Sequence, residues 1–273
     1  MFFVCPKCMK KLIASERGVA SCENGHSYDR SREGYYNLLL GSVGGTHGDN
    51  KEMIEARRAF LSLGHYRPLA EAIADLAIKY MPRGGVLLDA GLGEGYYTEI
   101  IAEKLNGEAD LDSPLIVGFD ISKDAVKRAS RRRGISELAV AGSYHMPISD
   151  SSCDILVNTF SPLAVEETRR VLRNGGKFIF AFPAEEHLFG LKEKIYDLPY
   201  KNSPRDTALA GFSLVEDKEL KYEIHLSLAE DIKALFMMTP YAYRTDALGR
   251  ERVLSLKELK TEVHFKILVY EKL

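Results

Sequence analysis

From residue 85 onward, the chain alternates short apolar runs with stretches in which apolar residues recur at helical spacing. The apolar runs predict strands at 85–89, 115–120, 137–140, 153–158 and 176–182. The stretches between them predict helices near 95–105, 122–132 and 164–172. Apolar strands that alternate with amphipathic helices are typical of a mostly parallel sheet covered by helices. The pattern therefore predicts an α/β fold built from βαβ units.

The segments on either side of this series have different patterns. Before it, helices are predicted at 51–63 and 67–80, because Gly64 and Pro68 interrupt the helical spacing. After it, we predict a helix near 185–195, the strand-rich stretch FSLVEDKELKYEIHLS, a helix at 228–238 and a final strand at 261–271. Residues 37–50 are glycine-rich and predict a linker that ends in a helix start at Asp49 or Asn50.

The stretch VLLDAGLGEGYY, residues 86–97, joins the first strand of the series to a helix. Asp89 ends its apolar run, and Gly91, Gly93 and Gly95 follow at alternate positions. Glycine tolerates positive φ and lets a ligand approach the backbone closely. In an open α/β sheet, such a turn lies outside the carboxyl end of a strand, where nucleotides bind. We therefore predict that these four residues contact a nucleotide-like cofactor.

The N-terminal segment carries the pattern C-x2-C-x13-C-x3-H, formed by Cys5, Cys8, Cys22 and His26. Three thiolates and one imidazole form a tetrahedral ligand set for Zn2+. The flanking short strands are too small for a core of their own, so the metal would supply folding energy. His47 and His65 compete with His26 as the fourth ligand, but they lie much further along the chain. The spacing favours a structural zinc site over three unrelated buried cysteines.

Charge and cysteine content bear on partners and compartment. The net charge is −2, with a small excess of basic residues before residue 68 and of acidic residues after it. A mild positive bias at the N-terminal end indicates an anionic partner without identifying it. No apolar run approaches the ~18 residues of a membrane helix, and no secretory leader is recognisable, so we expect a cytoplasmic protein without a membrane partner. A reducing compartment argues against disulfides.

The glycine spacing alone leaves the cofactor open between NAD, flavin and an adenosyl compound. Asp120 ends the second strand of the series and can accept hydrogen bonds from both ribose hydroxyls. Glu94 lies within the glycine loop, where a carboxylate repels a pyrophosphate but suits the ammonium and sulfonium groups of S-adenosylmethionine. We find no substrate domain or hydride-transfer partners of a dehydrogenase. The residues therefore favour S-adenosylmethionine.

The segment AGSYHMPISDSSCDILVNTFSP has the form of the loop beside adenine, followed by the catalytic strand, in enzymes that use this cofactor. Gly142 and Ser143 replace the acidic residue often found there, so Ser143 or backbone atoms would recognise the adenine amino group. The loop NTFSP differs from the N/D-P-P-Y loop used to methylate exocyclic amines. An exocyclic amine is therefore a poor substrate candidate.

Four segments in combination resemble one family: the zinc pattern, GDNKEMIEARRAFLSLGHYRPL, DAGLGEGYY and MTPYAYR. Together they are similar to the RlmA family of 23S rRNA guanine-N1 methyltransferases, nearly from end to end. Leu92 is one departure, since the family often has DIGCGEGYY in the loop. The resemblance implies a class I, Rossmann-like methyltransferase domain of seven strands, with S-adenosylmethionine and Zn2+ as cofactors. It also implies a zinc ribbon that contributes to RNA recognition and a homodimer with a cleft for a hairpin of 23S rRNA.

The resemblance further implies roles for individual residues. Family contacts to the cofactor fall on Tyr66, Gly93, Glu94 and His187. For Tyr66 and His187, a packed structural role is the alternative. The implied domains are a zinc-binding ribbon at 1–36, a linker with helices at 37–84 and a methyltransferase domain at 85–273.

A guanine must be unpaired or flipped out of its helix before methylation, because N1 lies on the Watson–Crick edge. Aromatic side chains commonly hold such a base by stacking. The candidates are Phe160, Tyr241 and Tyr243, with Arg244 as a candidate phosphate contact. Core aromatics and a surface arginine are the alternative interpretation. The sequence identifies no general base.

Three classes of function compete for this sequence: an rRNA methyltransferase, a small-molecule methyltransferase with an incidental zinc ribbon, and a nonenzymatic RNA-binding adaptor. The glycine loop and Asp120 count against the adaptor. Activity that survives deletion of residues 1–36 would favour the small-molecule enzyme. Arg57 and Arg58 fit either a solvated helix face or a phosphate contact. The first class is the one that the sequence favours.

Overall fold

The computed structural model describes residues 1–41 and 50–273. The strands are β1 (Ile13–Ala14), β2 (Val19–Ser21), β3 (Ser27–Asp29), β4 (Tyr36–Asn37), β5 (Val86–Ala90), β6 (Leu115–Asp120), β7 (Glu137–Val140), β8 (Cys153–Thr159), β9 (Leu172–Pro183), β10 (Phe212–Leu226) and β11 (Leu259–Lys272). The helices are α1 (Lys51–Ser62), α2 (Arg67–Tyr80), α3 (Tyr96–Gly107), α4 (Lys123–Ala129), α5 (Val165–Val171), α6 (Phe189–Ile195), α7 (Ala229–Met237) and α8 (Ala247–Leu254).

An eight-stranded sheet forms the centre of the molecule, in the order β10-β11-β9-β8-β5-β6-β7-β4. The strands from β9 to β4 pair in parallel, whereas β11 runs antiparallel to both β9 and β10. Because β5 has β6 on one side and β8 on the other, the strand order reverses at β5. In open α/β sheets, such a reversal creates a crevice at the carboxyl ends of the strands. The α/β prediction is confirmed.

Burial explains why the sequence patterns identified these strands so well. All five residues of β5, VLLDA, are buried, as expected for a central parallel strand covered on both faces. One face of the sheet packs against apolar side chains of α2, α3 and α7. The other face packs against residues 146–148 and the N-terminal segment. The core therefore continues through the sheet on both sides.

One of the two candidate starts of the first helix is confirmed, and one C-terminal helix was not predicted. Asn50 caps α1 by accepting a hydrogen bond from the backbone N–H of Met53 at 2.9 Å. The other candidate start, Asp49, and the candidate zinc ligand His47 lie outside the described residues. Sequence patterns do not predict α8, in which Gly249 and Val253 are the buried residues. A helix with so small an apolar face carries little periodic signal.

The N-terminal segment is built into the main sheet. Its strands β1, β2 and β3 form a small antiparallel sheet, and β4 pairs in parallel with β7, so that Tyr36 lies opposite Ala139. The seven strands implied by the family resemblance correspond to β5–β11, and β4 adds an eighth. The predicted domain boundary after residue 36 falls inside β4.

Two backbone contacts and a shared core hold the N-terminal segment in place. The backbone N–H of Phe2 donates to the carboxylate of Glu137 at 2.9 and 3.0 Å, and that of Val4 donates to the carbonyl of Pro147 at 2.9 Å. Phe3 and Leu12 are fully buried in the same apolar cluster as Ile148. Within residues 1–41 and 50–273, no helix combines the length and apolar character needed to cross a membrane.

We expect Leu12→Ala to lower the free energy of unfolding of the zinc-loaded protein by about 2–5 kcal/mol, because it leaves a cavity in this shared core. The neighbouring Ile13→Ala is the matched control, since Ile13 is 70% exposed. It should change the same quantity by less than about 0.5 kcal/mol. Urea unfolding followed by circular dichroism measures both. Equal losses in the two variants would contradict the shared core.

Candidate active site and metal centre

A cavity of about 1230 Å3 opens at the carboxyl ends of β5, β6 and β8. Its lining includes the glycine loop, the loop after β8, residues of α1 and part of the 3-10 turn at Pro240–Tyr243. The cavity lies where the strand order reverses, as the fold predicts. Pockets for one small molecule usually measure about 300–1,000 Å3. This cavity therefore has room for a cofactor and part of a second reactant.

The glycine loop lies directly against the loop that follows β8. A Cβ added to Gly91 would lie 2.1 Å from Oγ of Ser161 and 2.5 Å from its Cβ, and Gly91 has a φ of +86°. The N–H groups of Gly91 and Leu92 both donate to the carbonyl of Phe119, at 2.9 and 3.1 Å. Glycine is thus required at Gly91 by both space and backbone conformation. The predicted cofactor loop and the predicted catalytic strand meet at this point.

Asp120 is held in place by backbone donors at the edge of the cavity. Its Oδ2 accepts a hydrogen bond from the N–H of Gly93 at 3.0 Å, and its Oδ1 accepts one from the N–H of Ser122 at 2.8 Å. A carboxylate oxygen has a second lone pair, so each oxygen can also accept from a hydroxyl. This geometry suits the ribose hydroxyls that the sequence assigns to Asp120.

Asp89 is buried at the end of β5, and it also lines the cavity. Its Oδ2 accepts a 2.6 Å hydrogen bond from Oγ1 of Thr98, whereas its Oδ1 has no partner among the residues that the structure describes. Burial raises the pKa of Asp89 to about 7, against the opposing effect of the Thr98 hydrogen bond. A buried carboxylate oxygen without a partner is costly unless a ligand satisfies it. The cationic groups of S-adenosylmethionine fit this requirement.

The structure gives Glu94 a protein partner that its sequence position did not suggest. Its Oε1 accepts a hydrogen bond from Nη2 of Arg132 at 2.8 Å, and Nε of Arg58 lies 4.0 Å from its Oε2. Glu94 also lines the cavity, so its carboxylate lies at the predicted cofactor site while it pairs with Arg132. Arg57, the neighbour of Arg58, instead lines the cavity and donates from Nη2 to the carbonyl of Met238 at 3.4 Å.

Tyr66 and His187 form a buried pair in the cavity wall, with 3.3 Å between the Tyr66 hydroxyl oxygen and Nε2 of His187. The backbone N–H of His264 donates to Nδ1 of His187 at 3.3 Å. Burial lowers the pKa of His187 to about 3, so the imidazole is neutral and carries its proton on Nε2. That N–H donates to the oxygen of Tyr66. The hydroxyl hydrogen of Tyr66 can then be donated to a ligand.

The end of β8 presents a ring and a hydroxyl to the cavity. Phe160 has a φ of +58°, a conformation that costs a bulky residue about 1–3 kcal/mol, and its side chain is 42% exposed. Its ring centroid lies 6.5 Å from that of Tyr66 and 5.7 Å from that of Phe265. The neighbouring Thr159 is buried, and its Oγ1 has no partner within the described part of the chain. Sequence reasoning missed Thr159, since a single threonine in a strand carries no signal.

Three further predicted residues line the same cavity, and two do not. The lining includes Ser143, Tyr241 and Arg244, whereas Gly95 lies outside it, as does Tyr243, which is 46% exposed. Lys192, which sequence reasoning missed, is fully buried in α6 and has its Nζ 5.5 Å from the ring centroid of Tyr241. Because amphipathic helices usually expose lysine, sequence patterns did not predict a buried ammonium there.

The four predicted zinc ligands converge, and their donor atoms all lie within 4.8 Å of one another: Cys5, Cys8, Cys22 and His26. Each sulfur is 3.5 Å from Nδ1 of the histidine, and the sulfurs of the second and third cysteines are 3.7 Å apart. Tetrahedral zinc with its usual bond lengths requires about 3.5 Å between sulfur and nitrogen and about 3.8 Å between sulfurs. The donor set therefore fits zinc.

Two neighbouring side chains complete the description of the metal centre. The hydroxyl of Tyr28 lies 3.4 Å from the sulfur of Cys5 and can donate a hydrogen bond to a thiolate. His65, the other competing ligand, instead stacks on Phe60 with 5.6 Å between the ring centroids. It is not part of the cluster of donor atoms.

We expect the affinity for S-adenosylmethionine to increase from about pH 6 to about pH 8, because Asp89, with a pKa of about 7, becomes ionised over this range and attracts the cation. Asp89→Asn should bind more weakly and lose this component of the pH dependence. Titration calorimetry at several pH values measures both. The exposed Asp110→Asn is the control and should behave like the unmodified chain. An unchanged pH profile in Asp89→Asn would exclude this role.

Comparison with known proteins gives the two parts of the chain separate matches. Residues 3–40 match the family described as "RlmA, N-terminal", a zinc ribbon, and residues 83–227 match the family described as "Methyltransferase domain". The first match contains the four converging zinc ligands, and the second contains the glycine loop and Asp120. Zinc and S-adenosylmethionine are accordingly the cofactors of this chain.

Three relatives align with larger parts of the sequence. One, from Micromonospora griseorubida, is named among the 23S rRNA (guanine-N(1))-methyltransferases and is 32% identical over 93% of this chain and 91% of its own. A relative from Bacillus subtilis strain 168 with the same type of name is 30% identical over 95% of this chain and 92% of its own. The 23S rRNA (guanine(748)-N(1))-methyltransferase of Streptomyces fradiae is 34% identical over 70% of this chain and 66% of its own. Alignment over nearly the whole of both chains makes this protein a member of the 23S rRNA (guanine-N1)-methyltransferase family.

Proposed function

We propose that this chain transfers the methyl group of S-adenosylmethionine to N1 of a guanine in a hairpin of 23S rRNA. The single observation that carries the proposal is the cavity of about 1230 Å3, which combines cofactor-type carboxylates with an exposed ring at the end of β8. The names of the three relatives support the choice of rRNA and of guanine N1.

On the cofactor side, the residues of the chain bind S-adenosylmethionine and orient it. Asp120 accepts hydrogen bonds from the ribose hydroxyls, and Ser143 or its backbone recognises the adenine. Asp89 provides negative charge for the cationic groups, and the Tyr66 hydroxyl donates to the carboxylate of the methionine end. The sulfonium of the bound cofactor supplies an already activated methyl group, so alignment is the main task left to the protein.

On the base side, Phe160 stacks on the flipped guanine, and the hydroxyl of Thr159 satisfies one polar group of the base edge. Tyr241 and Arg244 lie further along the cavity lining, where they can contact neighbouring nucleotides. The proton of guanine N1 leaves to water. His187 does not accept it, because burial holds its pKa at about 3 and both of its ring nitrogens already have partners.

We also propose that the enzyme acts in the cytoplasm as a homodimer, with a ribbon at 1–36 that contributes to RNA recognition. Residues 37–84 and 85–273 form the linking segment and the methyltransferase domain. Leu198 and Leu248 are 88% and 70% exposed, and a second subunit would remove such apolar side chains from water.

Small-molecule methylation is the less favoured alternative, and the shared core changes how it must be tested. Deleting residues 1–36 would remove Phe3 and Leu12 from the apolar cluster and half of β4 from the sheet. Loss of activity in that deletion would therefore say little about RNA. A direct assay on rRNA is needed to separate the two functions.

We expect primer extension on 23S rRNA treated with enzyme and S-adenosylmethionine to show a new stop at one guanine, because N1 methylation blocks base pairing. Asp120→Ala should give no stop and no cofactor binding by calorimetry, with its zinc content unchanged, because it removes both acceptors for the ribose. Absence of a stop with the unmodified chain would refute the proposal. Equal cofactor binding by Asp120→Ala would remove Asp120 from the site.

We expect Phe160→Leu to reduce kcat/KM for RNA by about 5- to 150-fold, since stacking contributes about 1–3 kcal/mol per base. Its affinity for S-adenosylhomocysteine should change little, because the ring faces the base. Phe160→Tyr keeps an aromatic ring and should retain most of the activity. If all three proteins methylate RNA equally well, Phe160 does not hold the base.

A further inference from the structure

The zinc knuckle touches the loop that lines the cofactor cavity. Pro6, which lies between the ligands Cys5 and Cys8, accepts a hydrogen bond through its carbonyl oxygen from Nε2 of His145 at 2.8 Å. His145 also lines the cavity. We propose that His145 is a positioning residue that couples the zinc knuckle to the adenine side of the cofactor pocket, so that zinc and S-adenosylmethionine favour each other's binding.

The loop geometry explains how His145 can act on the cofactor. Gly142 and His145 form an antiparallel bridge, and the N–H of His145 donates to the carbonyl of Gly142 at 3.3 Å. Ser143 and Tyr144 lie at the tip of this turn, and both line the cavity. A shift of His145 therefore moves the tip that faces the adenine. This step rests on the proposed function, which positions the adenine beside Ser143.

The next residues of the loop are fixed from a different direction. The carboxylate of Glu167 accepts from the N–H of Met146 at 2.7 Å. Arg170 donates to the carbonyls of Met146 and Ile148 at 2.9 and 2.6 Å. Both anchoring residues belong to α5, within the sheet domain. The part of the loop after His145 is thus also anchored to α5, whereas the side chain of His145 itself contacts the knuckle.

The knuckle in turn depends on the metal. The N–H groups of Cys8 and Met9 donate to the carbonyl of Cys5 at 3.4 and 2.7 Å, which closes a tight turn around Pro6. Three thiolates do not converge without a cation, so metal binding and the conformation of this turn are linked. The turn also meets the loop at a second point, since Val4 donates its N–H to the carbonyl of Pro147 at 2.9 Å. A change in the conformation of the metal centre is therefore transmitted to the loop through the hydrogen bonds of Pro6 and Val4.

Coupling between two sites must be reciprocal, which allows a test that does not depend on methylation. In the first arm, 4-(2-pyridylazo)resorcinol competes at equilibrium with the full chain for zinc, with and without saturating S-adenosylhomocysteine. We expect the ligand to increase the zinc affinity of the chain by about fivefold or more. In His145→Ala the ligand should no longer affect the zinc affinity.

The second arm measures the affinity for S-adenosylhomocysteine by calorimetry on zinc-loaded proteins, so that no variant is compared in an unfolded state. We expect His145→Ala to bind about threefold to tenfold more weakly, which corresponds to the loss of one hydrogen bond. His145→Gln keeps an N–H donor and should restore part of the affinity. His225→Ala is the matched control, because this exposed histidine lies in β10 and outside the cavity lining.

Wild-type affinity for S-adenosylhomocysteine in His145→Ala, or a zinc affinity of the unmodified chain that the ligand leaves unchanged, would overturn the coupling and leave the proposed function intact. Failure of the zinc-loaded, unmodified chain to bind S-adenosylhomocysteine would overturn the cofactor assignment itself, and the coupling with it. Equal weakening in His145→Ala and His145→Gln would show that ring packing rather than the hydrogen bond is responsible, and would also overturn it.

Discussion

The close contact between Gly91 and Ser161 is the constraint on which the rest of the site depends. No side chain fits at Gly91, because Oγ of Ser161 would lie 2.1 Å from its Cβ. Strand pairing sets this contact: Asp89 in β5 lies opposite Gly118 in β6 and Val157 in β8, so three strands end at nearly the same level. The loops that follow them must share one small space. The proposed sites for the cofactor and the base therefore lie side by side at one edge of the sheet.

The two buried carboxylates at the cofactor site differ in their hydrogen-bond and ion-pair partners. Asp89 and Glu94 are both almost fully buried, but Glu94 is compensated by Arg132 whereas one oxygen of Asp89 has no partner within residues 1–41 and 50–273. The first arrangement stabilises the glycine loop, and the second leaves an unsatisfied group that a cationic ligand can pair with. Both carboxylates line the cavity, and their different partners become visible only in the folded chain.

Sequence patterns predicted the features that depend on neighbours along the chain. Apolar runs and helical spacing placed β5 to β9 and α1 to α3 within a few residues, and cysteine spacing identified the four residues that converge at the metal centre. Features that depend on contacts distant in sequence were not predictable in this way. Arg132 is 38 residues from Glu94, and His145 is 139 residues from Pro6. The buried hydroxyl of Thr159, which has no partner among the residues described, and the buried Lys192 likewise become apparent only when the surrounding elements are packed.

The position of the ribbon changes what its presence means for the enzyme. A module attached by a linker could be gained or lost without affecting catalysis, but this one supplies β4 to the central sheet and Phe3 and Leu12 to a core shared with the loop at 146–148. Under the proposed coupling, its zinc stabilises the wall of the cofactor cavity as well as the ribbon itself. Recognition of RNA and support of the active site are then not competing explanations for the ribbon. If the ribbon binds RNA as proposed, its contacts with the cofactor loop set the distance between the bound RNA and the methyl donor.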